Sequence, residues 1–231
     1  MKLLVQTGWG YAPESCRMLT DKLSKHFNVV LRSFVEELNP RDLETEPYWL
    51  AGWSLGGIKA IESVASGIIR PRGLILISST ARFCAHEDYM AGVDRSALRS
   101  MIIGIKRSRI KTLEIFYRDA AAPVNLSADE LHDRIQQADE FSDEQLRNGL
   151  QSLDQLDVRG ILSAIEIPTL ILHGGQDRII PISAGEFLSR GIKSSQLVDQ
   201  SSAGHEMLLT HGDWMVDQIT EFIHRHEGDN R

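Results

Sequence analysis

The chain has 231 residues, a formal net charge of −7, 42% hydrophobic residues and 25% charged ones. That length is enough for one domain with a large core, and the acidic balance excludes a general affinity for nucleic acid or anionic membranes. Two distant cysteines, Cys16 and Cys84, eight scattered histidines and an amino terminus with no long apolar stretch argue against a disulfide framework, a metal centre and a membrane span; the expected compartment is the cytosol, with both thiols reduced.

Lys2 to Gln6 reads as a buried strand, closed by the loop Thr7-Gly8-Trp9-Gly10. Glu14 to His26 follows as an amphipathic helix, with Met18, Leu19, Leu23 and Phe27 at helical spacing. A second strand, Asn28 to Phe34, leads into a polar connection from Glu36 to Glu46, where Asn39-Pro40 and Pro47 are breakers. Then comes an apolar run, Tyr48-Trp49-Leu50-Ala51, the pentapeptide Gly52-Trp53-Ser54-Leu55-Gly56, and a helix-like run from Ile58 to Ala65. Strand, sharp turn and helix with Gly-x-Ser-x-Gly at the corner form the pattern of a nucleophile elbow. Such a corner exposes the Ser54 hydroxyl above the sheet edge. It also leaves the Leu55 N–H free at a helix N-terminus, where negative charge is favoured. Gly73 to Ser78 is the next strand. Strand and helix in alternation imply a parallel sheet with helices on both faces.

From about Thr80 to Asp157 the alternation stops and helical patterns replace it, over Leu98 to Ile105, Ile110 to Ala120, Ala128 to Ala138 and Asp143 to Leu153. An all-helical insertion between two strands is a lid in the making, or a subdomain that only adds core. The expected division is therefore a core of residues 1–79 and 158–231 and a helical lid of residues 80–157. Its charge is lopsided: Arg95, Arg99, Lys106, Arg107, Arg109, Lys111 and Arg118 face Glu114 alone, whereas residues 129–157 are strongly acidic. Such runs are commonly solvated faces, and a basic one can also receive an acidic partner.

Alternation resumes with the strand Pro168 to Gly174, the turn Asp177 to Pro181, a helix near Ile182, the strand Ser195 to Asp199, and the loop Ala203-Gly204-His205-Glu206 before a terminal helix to His226. His224 and His226 are expected in a solvated tail. Taken singly, Asp177 also fits a helix cap and His205 an ordinary loop histidine. Nucleophile, carboxylate and histidine in the order Ser54, Asp177, His205, each after a strand, match a Ser-Asp-His triad. The expected chemistry is acyl transfer. Ser54 attacks an ester carbonyl, His205 carries the proton, and Asp177 orients the imidazole. The N–H groups of Leu55 and Trp9 form the oxyanion hole. Trp53, Phe83 and Tyr89 are expected near the acyl group, with core packing an equal reading for Trp53. Cys84 lacks a strand-turn-helix setting and is no rival nucleophile. No cofactor is required.

With these residues in place, the sequence resembles the pimeloyl-[acyl-carrier protein] methyl ester esterases of biotin synthesis, within the α/β-hydrolase superfamily. The likeness rests on Gly-Trp-Ser-Leu-Gly-Gly at 52–57, on Gly8-Trp9-Gly10, on a lid entry running from Ser78-Ser79 through Phe83 to Gly92, on a lid exit from Gly149 to Arg159, and on the Asp177 and Gly204-His205 segments. The resemblance implies an α/β-hydrolase fold with a methyl ester of pimeloyl-acyl-carrier protein as substrate and acidic carrier protein as partner. A basic lid face would dock that partner, with Arg107, Arg109, Lys111 and Arg118 as contacts. Three departures stand out. Thr7 occupies the place of a family histidine, and the later lid helices are acidic. The two strands that precede Lys2 to Gln6 in the family are missing, so a mostly parallel sheet of about six strands is expected. The alternatives are a general esterase for small free esters, a thioesterase, and a binding protein that has the fold without turnover.

Overall fold

The computed structural model describes residues 1–39 and 46–228, so part of the polar connection expected over residues 36–46 lies outside the described residues. Six strands form one sheet in the order β2-β1-β3-β4-β5-β6, every neighbouring pair parallel. They are β1 (Lys2–Gln6), β2 (Asn28–Arg32), β3 (Tyr48–Trp53), β4 (Gly73–Ile77), β5 (Thr169–Gly174) and β6 (Ser195–Gln200). The central strands β3, β4 and β5 are buried at every position. Helices cover both faces of such a sheet, which is why these segments read as unbroken apolar runs. The edge strands β2 and β6 are only partly buried and carry polar residues. Chain order reverses between β1 and β3, and an open sheet of this kind offers its ligand crevice at that switch point.

The core helices are α1 (Arg17–Leu23), α2 (Leu55–Ala65), α6 (Ile182–Gly191), α7 (Met207–Thr210) and α8 (Gly212–Gly228). The first is shorter than its apolar spacing predicts. A 3-10 turn, Pro13–Cys16, precedes it, with proline at its start, and Met18 is 62% exposed while Leu19 and Leu23 are buried. The carboxyl-terminal histidines lie in α8, where His224 is exposed as expected and His226 is not. His226 packs against Phe222 and Trp49 within α8, and the next residue, Glu227, accepts from Trp49 Nε1 at 2.9 Å and pairs with Arg72 at 2.6 Å.

Between β4 and β5 lie three α-helices, a 3-10 helix (Arg159–Ala164) and no strand: the α-helices are α3 (Arg95–Ala121), α4 (Ala128–Ala138) and α5 (Asp143–Gln155). Side-chain caps set their starts. Asp94 accepts from the Ser96 N–H, and Ser127 with Glu130 and Ser142 with Gln145 form reciprocal capping boxes. The two helical runs expected at 98–105 and 110–120 are the arms of α3, which breaks at Ser108 (φ −161°, ψ 75°). The arms fold together so closely that a Cβ on Gly104 would lie 2.4 Å from Thr112 Oγ1. Ion pairs clamp the two stems of the insertion: Arg82 holds Asp157 at 2.6 Å, and Arg159 holds both Asp157 at 2.8 Å and Asp88 at 2.6 Å. Arg82 and Asp157 also form a β-bridge, and the Val158 N–H donates to the Ala81 carbonyl at 2.9 Å.

Packing is close where β3 turns into α2. A Cβ on Gly56 would stand 2.6 Å from the carbonyl oxygens of both Gln6 and Thr7, whereas one on Gly160 would meet nothing within 4 Å. Gly56→Ala is therefore expected to cost about 1–3 kcal/mol, because only backbone can yield. Gly160→Ala should stay within about 0.5 kcal/mol of the parent. Urea unfolding midpoints of the two variants check the contrast.

Candidate active site

Ser54 sits at the carboxyl end of β3 with φ 55° and ψ −120°, a conformation unfavourable for any side-chain-bearing residue. The surroundings enforce it. The Ser54 N–H donates to the Ile77 carbonyl at 2.9 Å, and its own carbonyl accepts from the Gly57 N–H at 3.0 Å and the Ser79 hydroxyl at 2.9 Å. Gly52 passes so close that a Cβ there would lie 2.6 Å from the Gly56 carbonyl oxygen. Ser54 is left at the floor of a cleft, 5% exposed, its hydroxyl without a hydrogen bond to any described residue.

Asp177 follows β5 and is fully buried at its side chain. Oδ1 accepts from the N–H groups of Ile179 and Ile180, each at 2.8 Å, so the residue does shape the turn ahead of α6. Oδ2 faces His205 Nδ1 at 2.8 Å. A carboxylate opposite Nδ1 fixes the proton there and leaves Nε2 as the lone-pair nitrogen. Nε2 is buried and has no partner among the described residues; the hydrogen bond from the Ser54 hydroxyl to it is not formed. Below the pair lies His173, buried, with Nε2 2.9 Å from the Ile180 carbonyl and 3.7 Å from Asp177 Oδ2. Burial pushes its pKa down, so a neutral ring donates to that carbonyl.

The loop after β1 closes the other side of Ser54. A Cβ on Gly8 would come within 2.9 Å of Ser54 Cβ, and Gly10 takes φ 78°. Thr7 carries this loop: its hydroxyl donates to the Tyr11 carbonyl at 2.7 Å and accepts from the Phe34 N–H at 3.1 Å. The Trp9 N–H donates to no described residue, and the Leu55 N–H, first in α2, has no intrahelical acceptor. These two donors, a buried hydroxyl and an imidazole oriented by a carboxylate are the parts that acyl transfer needs.

Above them is a cavity of about 170 Å³ with largely apolar walls, including Trp9, Ser54, Phe83, Leu98, Phe116 and Leu150. Asp119 and Arg178 supply its charged lining. Of the residues expected near the acyl group, Phe83 lines this space and two do not. Trp53 is wholly buried, its ring 4.2 Å from Tyr11, and its Nε1 donates to the His205 carbonyl at 3.2 Å. Tyr89 lies at the lid entry, its hydroxyl 2.7 Å from Thr80 Oγ1 and its ring against Phe187 and the Arg159 guanidinium. Both are structural. Among the lid cations, Arg107, Lys111 and Arg118 are exposed and make no ion pair with a described residue. Arg109 is different. Its guanidinium donates to the Ala138 and Phe141 carbonyls at 2.6 and 2.8 Å and pairs with Asp143 at 2.9 Å, so it clasps α3 to the α4–α5 turn. No group of His, Cys, Asp or Glu suited to a metal ion occurs among the described residues, and no helix there is long and apolar enough to cross a membrane.

Sequence reasoning missed Phe116, Tyr11, Arg134 and Glu206. Phe116 carried a signal as an apolar position in an expected lid helix. Glu206 carried only its place beside His205.

Comparison with known proteins identifies the family and the fold. Residues 6–211 match the family model Hydrolase_4 (serine aminopeptidase, S33). A pimeloyl-[acyl-carrier protein] methyl ester esterase of Neisseria meningitidis serogroup B / serotype 15 (strain H44/76) is 31% identical over 179 residues, 77% of this chain and 69% of the relative. One from Xanthomonas axonopodis pv. citri (strain 306) is 25% identical over 240 residues, covering 96% of this chain and 94% of the relative. In fold, the esterase EaEST from Exiguobacterium antarcticum superposes with a TM-score of 0.85 over 96% of this chain and 91% of its own, at 18% identity. The chain is thus an ester hydrolase of the α/β-hydrolase fold and belongs to the Hydrolase_4 family, with pimeloyl-[acyl-carrier protein] methyl ester esterases among its relatives.

Proposed function

We propose that the protein hydrolyses the methyl ester of a pimeloyl group borne on acyl carrier protein, through an acyl-enzyme on Ser54. The observations that support this reading are Ser54 in its strained corner at an apolar cavity, and His205, held by Asp177 at 2.8 Å, with its carbonyl bonded to the side chain of Trp53, the residue before Ser54. The names of the relatives supply the substrate.

His205 Nε2 takes the proton of Ser54 Oγ as the oxygen attacks the ester carbonyl carbon. Asp177 holds the ring and stabilises the imidazolium. The intermediate's oxyanion is received by the N–H groups of Trp9 and Leu55. The bond to the methoxy oxygen breaks, His205 protonates it, and methanol leaves. Water, deprotonated by the same nitrogen, then attacks the acyl-enzyme and releases the carboxylate of the pimeloyl chain. Free serine and histidine are restored, and the carrier thioester is untouched. The methylene chain passes along Trp9, Phe83 and Phe116, and residues 80–157 act as the lid that keeps water from it. The carrier is acidic and docks against Arg107, Lys111 and Arg118. Arg109, spent on the lid's own clasp, is left out of that surface.

Ser54→Ala and His205→Ala are each expected to lower kcat by about 10⁴-fold or more, by analogy with triad removal elsewhere. Methanol release from the carrier-borne ester and labelling by a fluorophosphonate probe measure it; retained hydrolysis by Ser54→Ala rejects the mechanism. Reversing Arg107, Lys111 and Arg118 to glutamate together should cut kcat/KM for the carrier-borne ester by about tenfold or more at low salt, and raised salt should shrink that loss. An equal loss on a free nitrophenyl ester assigns those residues to lid stability instead. Release of free carrier thiol would mark a thioesterase.

A further inference from the structure

Glu206 follows His205 directly, and its side chain is only 1% exposed. Both oxygens are engaged. Oε1 accepts from the Tyr11 hydroxyl at 2.7 Å and from Arg134 Nε at 2.9 Å, and Oε2 accepts from Arg134 Nη2 at 2.8 Å. Arg134 belongs to α4 of the helical insertion, and Tyr11 closes the loop after β1. One carboxylate therefore joins three segments that are far apart in the chain. Stability alone does not account for it, because apolar residues of similar volume are often as stable as a buried ion pair or more so.

What surrounds the carboxylate gives it a role. The Glu206 N–H donates to the Ala120 carbonyl at 3.1 Å, so the peptide joining His205 to Glu206 is pinned to the end of α3. The carbonyl of His205 is held from the other side by Trp53 Nε1, one residue before Ser54. Tyr11 stacks on that same Trp53 ring, and its hydroxyl is held by Glu206; burial, then Glu206, raise its pKa well above the usual value, so the phenol stays a donor. Tyr117 of α3 donates to the Gly10 carbonyl, on the residue after Trp9. The peptide that follows His205 and the carbonyl of the residue after Trp9 are thus both tied to groups from the helical insertion.

We infer that Glu206, forked by Arg134 and bonded to Tyr11, is a positioning residue that holds His205 and the Gly8–Tyr11 loop in reacting register only while α4 is seated on the core. The inference rests on the reading of Ser54 and His205 as nucleophile and base. The carboxylate touches no reacting atom. It acts through the peptide it shares with His205, and through Tyr11 on the N–H two residues earlier. Lifting α4 would take from the Glu206 carboxylate the one cation that pairs with it among the described residues, which is unfavourable. The seated insertion and the assembled site are one state.

The test compares Glu206→Gln, Arg134→Lys and the double variant Arg134→Met/Glu206→Gln, all in the full chain. Glu206→Gln keeps the shape and the Tyr11 bond. The double variant leaves no buried charge unpaired, which separates positioning from stability. On a short-chain nitrophenyl ester, Glu206→Gln and the double variant are expected to fold and to lose about 10- to 100-fold in kcat, the scale of an ångström-level misplacement, with KM changed by less than about twofold. Arg134→Lys, a cation without the fork, should fall between them and the parent. In proton NMR, the downfield His205 Nδ1–H resonance should shift or broaden in the double variant. A folded double variant with parental kcat and an unmoved resonance overturns the inference. The resonance reads the ring without turnover, so it judges the positioning even if Ser54→Ala keeps its activity and the serine mechanism falls.

Discussion

The site is organised by one backbone conformation, the positive φ of Ser54. A serine in that region costs about 1–3 kcal/mol and persists only where its surroundings leave no alternative. Here those surroundings are backbone against backbone. Gly52 runs against Gly56 and Gly57, and Gly56 sits against the carbonyls that end β1. Fixing the corner fixes the rest. Because β1 and β3 are neighbours at the point where strand order reverses, the loops after these two strands open into the same crevice, and Gly8 lies against Ser54 with no room for a side chain. Only β5 and the loop after β6 then have to bring Asp177 and His205 to that crevice.

The helical insertion is attached to this core by charge rather than by apolar surface alone. Its stems are clamped by Arg82, Asp157, Arg159 and Asp88, its turn is clasped by Arg109, and its middle helix reaches the core through Arg134. The cavity between insertion and core is, by contrast, largely apolar, lined by Trp9, Phe83 and Phe116. The two environments divide the work. The apolar walls accept a methylene chain without demanding polar partners. The buried ion pair between Arg134 and Glu206 gains strength from the low dielectric around it and forces one geometry.

All six strands were legible in the sequence because a parallel sheet covered on both faces needs unbroken apolar runs, and residues 73–77 or 169–174 offer little else. The candidate triad was legible because each member follows such a run. What escaped is what depends on residues far apart in the chain. Nothing near Arg134 announces a partner 72 residues later, and Arg109 looks like any cation of a basic run until the Ala138 and Phe141 carbonyls are seen beside it. Trp53, left open between core and acyl pocket, and Tyr89, expected at the pocket, escaped for a related reason. Proximity in sequence to Ser54 or to the lid entry does not say which way a ring faces. In β3 the alternation of side chains turns Trp53 under the site, toward the His205 carbonyl. The break at Ser108 falls in the gap between the two helical runs expected at 98–105 and 110–120, whereas the close approach of Gly104 to Thr112 has no signal in the sequence.

The grip of Glu227 on Trp49 and Arg72 has a bearing on how the protein is handled. The final turn of α8 is a buckle across the strand that ends at Trp53, beside the reacting hydroxyl. Trimming the chain ahead of residue 227, or fusing a bulky domain there without a spacer, loosens β3 from behind. A purification tag therefore belongs beyond that buckle, on a linker long enough to leave it fastened.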